Sequence, residues 1–106
     1  MSLDFYLAQD GKTILDINIT HNLNKMADAA GIYKALWRPD EIGITKASQC
    51  IEPLKAGLIE LVTNKRKYEE FNPPNGWGSY EGLVSFVTNV LTACCEYPDS
   101  DVRVWR

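Results

Sequence analysis

The sequence predicts an α+β fold: an N-terminal β-hairpin and a C-terminal strand forming a small antiparallel sheet, packed with three helices. Three observations carry this. The first twenty residues alternate apolar and polar side chains around an Asp10-Gly11 turn. The middle of the chain carries apolar residues at spacings of three and four, the period of a helix with one buried face. Alternation then returns in the last residues.

Leu3, Phe5 and Leu7 alternate with Asp4 and Tyr6, as in a half-buried strand. Gly11 accepts the positive φ that a tight hairpin turn demands. From Lys12 to Thr20 a second strand places Leu15, Ile17 and Ile19 on one face and Asp16, Asn18 and Thr20 on the other. That polar row reads as a solvated face or, more sharply, as a polar ligand platform. Two strands alone are marginal in water, so the greasy side requires a further strand or a helix.

Leu23, Met26, Ala27, Ala30, Tyr33 and Trp37 lie on one face of a first helix, with Asn24, Lys25, Asp28 and Lys34 toward water. Asn22 or Thr20 caps it by accepting a free N–H of the first turn. Gly31 either lets another element approach closely or begins the helix end. Pro39 disfavours helical geometry at Arg38, so the helix stops by Trp37.

After a loop from Arg38 to Ile44, a second helix starts near Thr45. Ala47, Ile51, Leu54, Leu58 and Leu61 form its stripe. Pro53 sits within it, lacking an N–H for the carbonyl of Gln49. The stripe keeps phase across Pro53, which favours one kinked helix over a break with proline starting a new helix. Lys65, Arg66 and Lys67 close this helix, cations at its C-terminus complementing the dipole. Phe71-Asn72-Pro73-Pro74-Asn75-Gly76-Trp77-Gly78 specifies a defined turn, with Phe71 and Trp77 as packing anchors. Ser79 caps a third helix whose stripe is Tyr80, Leu83, Val84, Val87, Val90, Leu91 and Cys94. Pro98-Asp99-Ser100-Asp101 stops it. Val102 and Val104 then alternate with Arg103 and Trp105 in a short strand that pairs with the hairpin.

The 106 residues fit one domain, 1–106, able to bury roughly 65% of its unfolded surface. A net charge of −3 argues against non-specific nucleic-acid binding, which requires a basic surface. Cys50, Cys94 and Cys95 are odd in number and two are adjacent, which suits neither a disulfide framework nor a CxxC metal site. Buried free thiols, no signal-peptide pattern at Met1-Ser2-Leu3-Asp4 and no apolar run of membrane-spanning length together predict a cytoplasmic protein with no membrane contact. No cofactor and no metal are expected: there is one histidine, and no P-loop, HExxH, GxSxG or glycine-rich dinucleotide turn.

The run Asn18-Ile19-Thr20-His21-Asn22-Leu23, with Met26-Ala27, Ala30-Gly31-Ile32-Tyr33, Leu36-Trp37-Arg38-Pro39, Phe71-Asn72-Pro73 and Asn75-Gly76-Trp77-Gly78-Ser79-Tyr80, resembles a family of small uncharacterised bacterial and phage or prophage proteins. The resemblance implies a small cytoplasmic protein encoded by a bacterium or a mobile element. It implies no activity, cofactor or catalytic residue.

Three functions fit these residues. A non-enzymatic interaction module would bind another protein or a second copy of itself through aromatic and amide groups, with Tyr33, Trp37, Trp77 and Tyr80 lining a patch if the two motif segments meet. A small hydrolase or transferase would use His21 as general base, oriented by Asp16, Asp40 or Glu41. A structural homo-oligomer would pair an exposed sheet edge. The candidate surface joins Asn18, His21, Asn22, Arg38 and Glu41 to Asn75, Trp77 and Tyr80, because amide, imidazole and indole groups concentrate in two turn-rich stretches beside helix N-termini.

Overall fold

The alternating start of the chain forms two strands, β1 (Ser2–Gln9) and β2 (Lys12–Thr20), joined at Asp10 and Gly11, both with positive φ. The computed structural model describes all residues, 1–106. A terminal strand, β3 (Asp101–Trp105), adds to the other side of β1, so the sheet is antiparallel in the order β2-β1-β3. Leu3 faces Ile19, and Phe5 stands between Ile17 and Val104. Leu7 likewise stands between Leu15 and Val102, so the inner face is apolar across all three strands. The register shifts between Leu7 and Ala8, where Ile14 of β2 is the extra residue of a bulge. The opposite face carries Asp4, Tyr6, Asp16, Asn18, Arg103 and Trp105, by the two-residue alternation of a strand.

The α+β architecture stands as predicted, but the helices are more divided than three. The first apolar stripe is split. Thr20 Oγ1 accepts the N–H of Asn22 (3.2 Å) and caps a 3₁₀ turn over His21–Leu23. Helix α1 (Asn24–Ala29) follows, then a break, then α2 (Tyr33–Trp37). Gly31, at φ +80°, turns left-handed between them, so of its two expected roles it ends the helix. The break resets the helical phase. Ile32, Ala35 and Leu36 join Leu23, Met26, Ala27, Ala30 and Trp37 in the core, while Tyr33 is half-buried. Arg38 leaves helical geometry before Pro39, as the proline requires.

The second helix does not start at Thr45. A 3₁₀ turn over Ala47–Cys50 leads into α3 (Ile51–Thr63). Gln49 Oε1 accepts the N–H groups of Thr45 (2.8 Å) and Lys46 (2.9 Å), folding the entry back on itself. Pro53 therefore lies in the first turn of α3, where N–H groups have no intrahelical partner to lose. It neither kinks the helix nor starts a new one. Lys65, Arg66 and Lys67 do not close α3: Asn64 interrupts it and they open a separate short helix, α4 (Lys65–Glu69). Tyr68 on α4 is fully buried, and its hydroxyl donates to Glu60 Oε1 (2.9 Å) or Ala29 O (3.2 Å). Burial, reinforced by Glu60, pushes that hydroxyl up to about 12.

Helix α5 (Tyr80–Glu96) buries Tyr80, Leu83, Val87, Val90 and Cys94 of its predicted stripe, leaves Val84 and Leu91 half-buried and adds Phe86, with Ser79 Oγ accepting from the N–H of Gly82 (3.1 Å). The 24 buried residues of the core form one cluster between the sheet's inner face and the helices. Gly57 of α3 admits Ile32 closely: a Cβ there would come 2.0 Å from Ile32 Cγ2. The buried positions of α3 are Leu54, Gly57 and Leu61, with Ile51 and Leu58 half-buried. Cys50 and Cys94 are buried, but Cys95 is exposed, against the expectation that all three thiols are enclosed. Interaction between the Cys50 and Cys94 thiols, with burial, pushes that of Cys94 up, while the same interaction holds that of Cys50 down. No helix is long and apolar enough to cross a membrane.

Candidate functional site: the groove between His21 and the Asn72–Asn75 turn

The two turn-rich segments meet. His21 and Asn22 follow β2 directly, and the capping of their 3₁₀ turn by Thr20 fixes their position. The Phe71–Gly78 loop is held by its own side chains. Asn72 Oδ1 accepts the N–H of Tyr80 (2.7 Å) and Asn75 Oδ1 accepts the N–H of Trp77 (3.0 Å). Both segments line one groove of about 600 Å³, with His21, Asn22, Asn24 and Lys25 on one wall and Glu70 through Asn75 on the other. Asn22 Nδ2 donates to the carbonyl of Trp77 (3.4 Å), tying the walls together beside the groove. Gly78 makes the junction possible. It has φ +102°, and a Cβ there would sit 2.8 Å from Thr20 Cγ2 and 3.0 Å from Leu23 Cγ.

Trp77 does not anchor the loop: it is 71% exposed, and its indole N–H has no protein partner. Phe71 is also exposed, though it stacks on Tyr68 with ring centroids 6.1 Å apart. The loop is instead fixed through its main chain. His21 is half-buried and engaged from behind. The indole N–H of Trp37 donates to His21 Nδ1 at 2.9 Å. An indole nitrogen only donates, so Nδ1 must be unprotonated and the ring's hydrogen sits on Nε2.

Not every predicted residue belongs here. Tyr80 is a core residue, 5% exposed, its hydroxyl donating to Leu61 O (2.8 Å). It directly follows the turn-rich loop and was expected both in the site and in the buried stripe of α5, and α5 turns it inward. Asn18 lies on the sheet's outer face, donating to Ser2 Oγ (2.8 Å) and Asp4 Oδ1 (2.6 Å). Arg38 and Glu41 form their own exposed pair at 3.7 Å, with Lys34 3.9 Å from Glu41 and the Tyr33 hydroxyl accepting from Arg38 Nε (3.3 Å). None of these three lines the groove. The predicted patch of Tyr33, Trp37, Trp77 and Tyr80 does not form as a surface, since Trp37 and Tyr80 are buried. Asn24, Lys25, Phe71 and Asn72 complete the walls and were not singled out as site residues. The signal for the first two was their position on the polar side of a helix one turn after His21.

Of the three acids expected to orient His21, Asp16 lies on the sheet's outer face, Asp40 pairs with Arg106 (3.3 Å), and Glu41 is held by Lys34 and Arg38. No group of three or more His, Cys, Asp or Glu is placed to hold a metal ion. A second groove of about 510 Å³ runs beside β3, between Pro39–Ile44 and Val102–Arg106, with Trp105 72% exposed. The chain matches no protein-family model, no curated protein and no solved structure.

Proposed function

We propose that this protein is a small, non-enzymatic interaction module of the cytoplasm, of bacterial, phage or prophage origin, that holds a partner protein at Trp77 and the adjoining groove. One observation carries the reading: a large indole is presented to solvent on a turn whose backbone is already fixed by Asn75 and Asn22. Ordering such a loop costs little on binding, so more of the contact energy is kept as affinity. Tryptophan is also among the residues that most often dominate binding energy at interfaces. An enzyme using His21 is disfavoured, because a general base needs an orienting partner on its second nitrogen that accepts rather than donates. Here the second nitrogen receives a hydrogen bond.

The test is affinity capture from a bacterial lysate with the wild-type chain and with Trp77→Ala, a second copy of the chain being among the partners it would detect. The expected outcome is a discrete partner held by the wild type and lost with Trp77→Ala. Equal capture by both would end the proposal.

A further inference from the structure

We infer that the groove receives a carboxylate from an acidic segment of the partner protein, seated on His21 Nε2–H and the free amide hydrogens of Asn72 and Asn75. This rests on the interaction reading above and adds the chemistry of what is bound. The argument is a count of hydrogen-bonding capacity. Asn72 and Asn75 each spend their side-chain oxygen on a main-chain N–H, of Tyr80 and Trp77. Those donors fix which way each amide faces, so the NH₂ of each is wholly unbonded while its oxygen keeps one further lone pair. The indole N–H of Trp37 does the same to His21, leaving Nε2–H. Three side chains that line the groove thus each carry an unbonded donor whose direction the fold sets. Lys25 adds a fourth donor, with no ion-pair partner in the chain. Against them stand Asn22 Oδ1 and Glu70, while Asn24 offers both kinds of group.

Side-chain donors of this kind favour a ligand that brings acceptors without donors. A main-chain peptide group brings one N–H for each carbonyl. A carboxylate brings two oxygens with about four lone-pair sites and no hydrogen, and its bonds are charge-assisted. The exposed Trp77 and Phe71 next to these donors provide apolar surface that a free small anion would not use, which points to a side chain within a protein segment.

The test uses amide-resolved NMR of the full chain titrated with acetyl-Leu-Asp-Leu-Glu-amide, with the isosteric acetyl-Leu-Asn-Leu-Gln-amide, and with sodium acetate. The paired variant is N72D/N75D. Each new carboxylate still accepts the N–H of Tyr80 or Trp77, so the loop keeps its internal bonds, but the free donors become acceptors. The inference expects the acidic peptide to shift the side-chain NH₂ signals of Asn72 and Asn75 and the Trp77 indole signal. It expects affinity to fall by at least about tenfold in N72D/N75D, the size of one lost charge-assisted bond. If the variant unfolds, the comparison of the two peptides on the wild type still decides. Equal binding of the isosteric peptide overturns the inference, and so does acetate shifting the same signals as strongly as the peptide. No shift with any probe, while Trp77→Ala still loses its captured partner, overturns it and leaves the interaction reading standing. Capture indifferent to Trp77→Ala instead removes the reading beneath it.

Discussion

Trp37 and Trp77 sit on either side of the same junction and are treated in opposite ways. Trp37 is buried, stacked on Tyr33 with centroids 5.6 Å apart, and its N–H is satisfied by His21. Trp77 is exposed, its N–H unpartnered, while its main-chain N–H and carbonyl are both engaged. One tryptophan is fixed by its side chain and the other by its backbone. The pair teaches that an ordered indole need not be a packed one. A loop pinned through peptide groups can hold a large apolar ring in water, and that ring is then available to a partner.

Three substitutions would break or sharpen this contrast. The largest effect belongs to Trp37→Ala, which leaves a cavity behind His21 and should cost about 3–5 kcal/mol of stability. Urea unfolding measures it, and a loss below about 1 kcal/mol would mean the ring is not core. Next comes Gly78→Ala. Its new methyl group meets Thr20 and Leu23 in a backbone conformation that alanine adopts poorly, for about 1–3 kcal/mol. Because the strain falls on the contact between the two walls, the Asn72 and Asn75 amide signals should move as well; unchanged signals would detach the loop from this junction. The smallest is Trp77→Ala, expected to stay within about 0.5 kcal/mol of the parent. A destabilisation as large as that of Trp37→Ala would erase the contrast and return Trp77 to the role of packing anchor.

Much of this was legible beforehand where the signal is local. The alternation in β1 and β2, the turn at Asp10-Gly11, the cap at Ser79 and the stripe of α5 each depend on neighbours within a few residues. Of the surface expected from amide, imidazole and indole groups in two turn-rich stretches, His21, Asn22 and Asn75 do line one groove. Other features were misplaced because a competing local effect won. Gly31 took a left-handed conformation, which reset the phase of the first helix and brought Ile32 and Leu36 into the core. Gln49 folded back on Thr45 and Lys46, so the second helix began later and Pro53 fell harmlessly in its first turn. Tyr80 was assigned both to the candidate surface and to the buried stripe of α5, and the stripe won.

What the residues alone determined is the class of fold, the pairing of the terminal strand with the hairpin, and the two segments worth watching. These follow from side-chain period and turn chemistry, which act over a few bonds. Only the folded molecule decided that Trp77 turns out; the inward facing of Trp37 and Tyr80 was already implied by their helix stripes. The fold also decided that Asn18, Arg38 and Glu41 lie elsewhere, and that His21, Asn72 and Asn75 carry unbonded donors. Those outcomes depend on which hydrogen-bonding group or methyl lies opposite in the folded chain, and the partners range from two residues away, as Trp77 is from Asn75, to 55, as Trp77 is from Asn22.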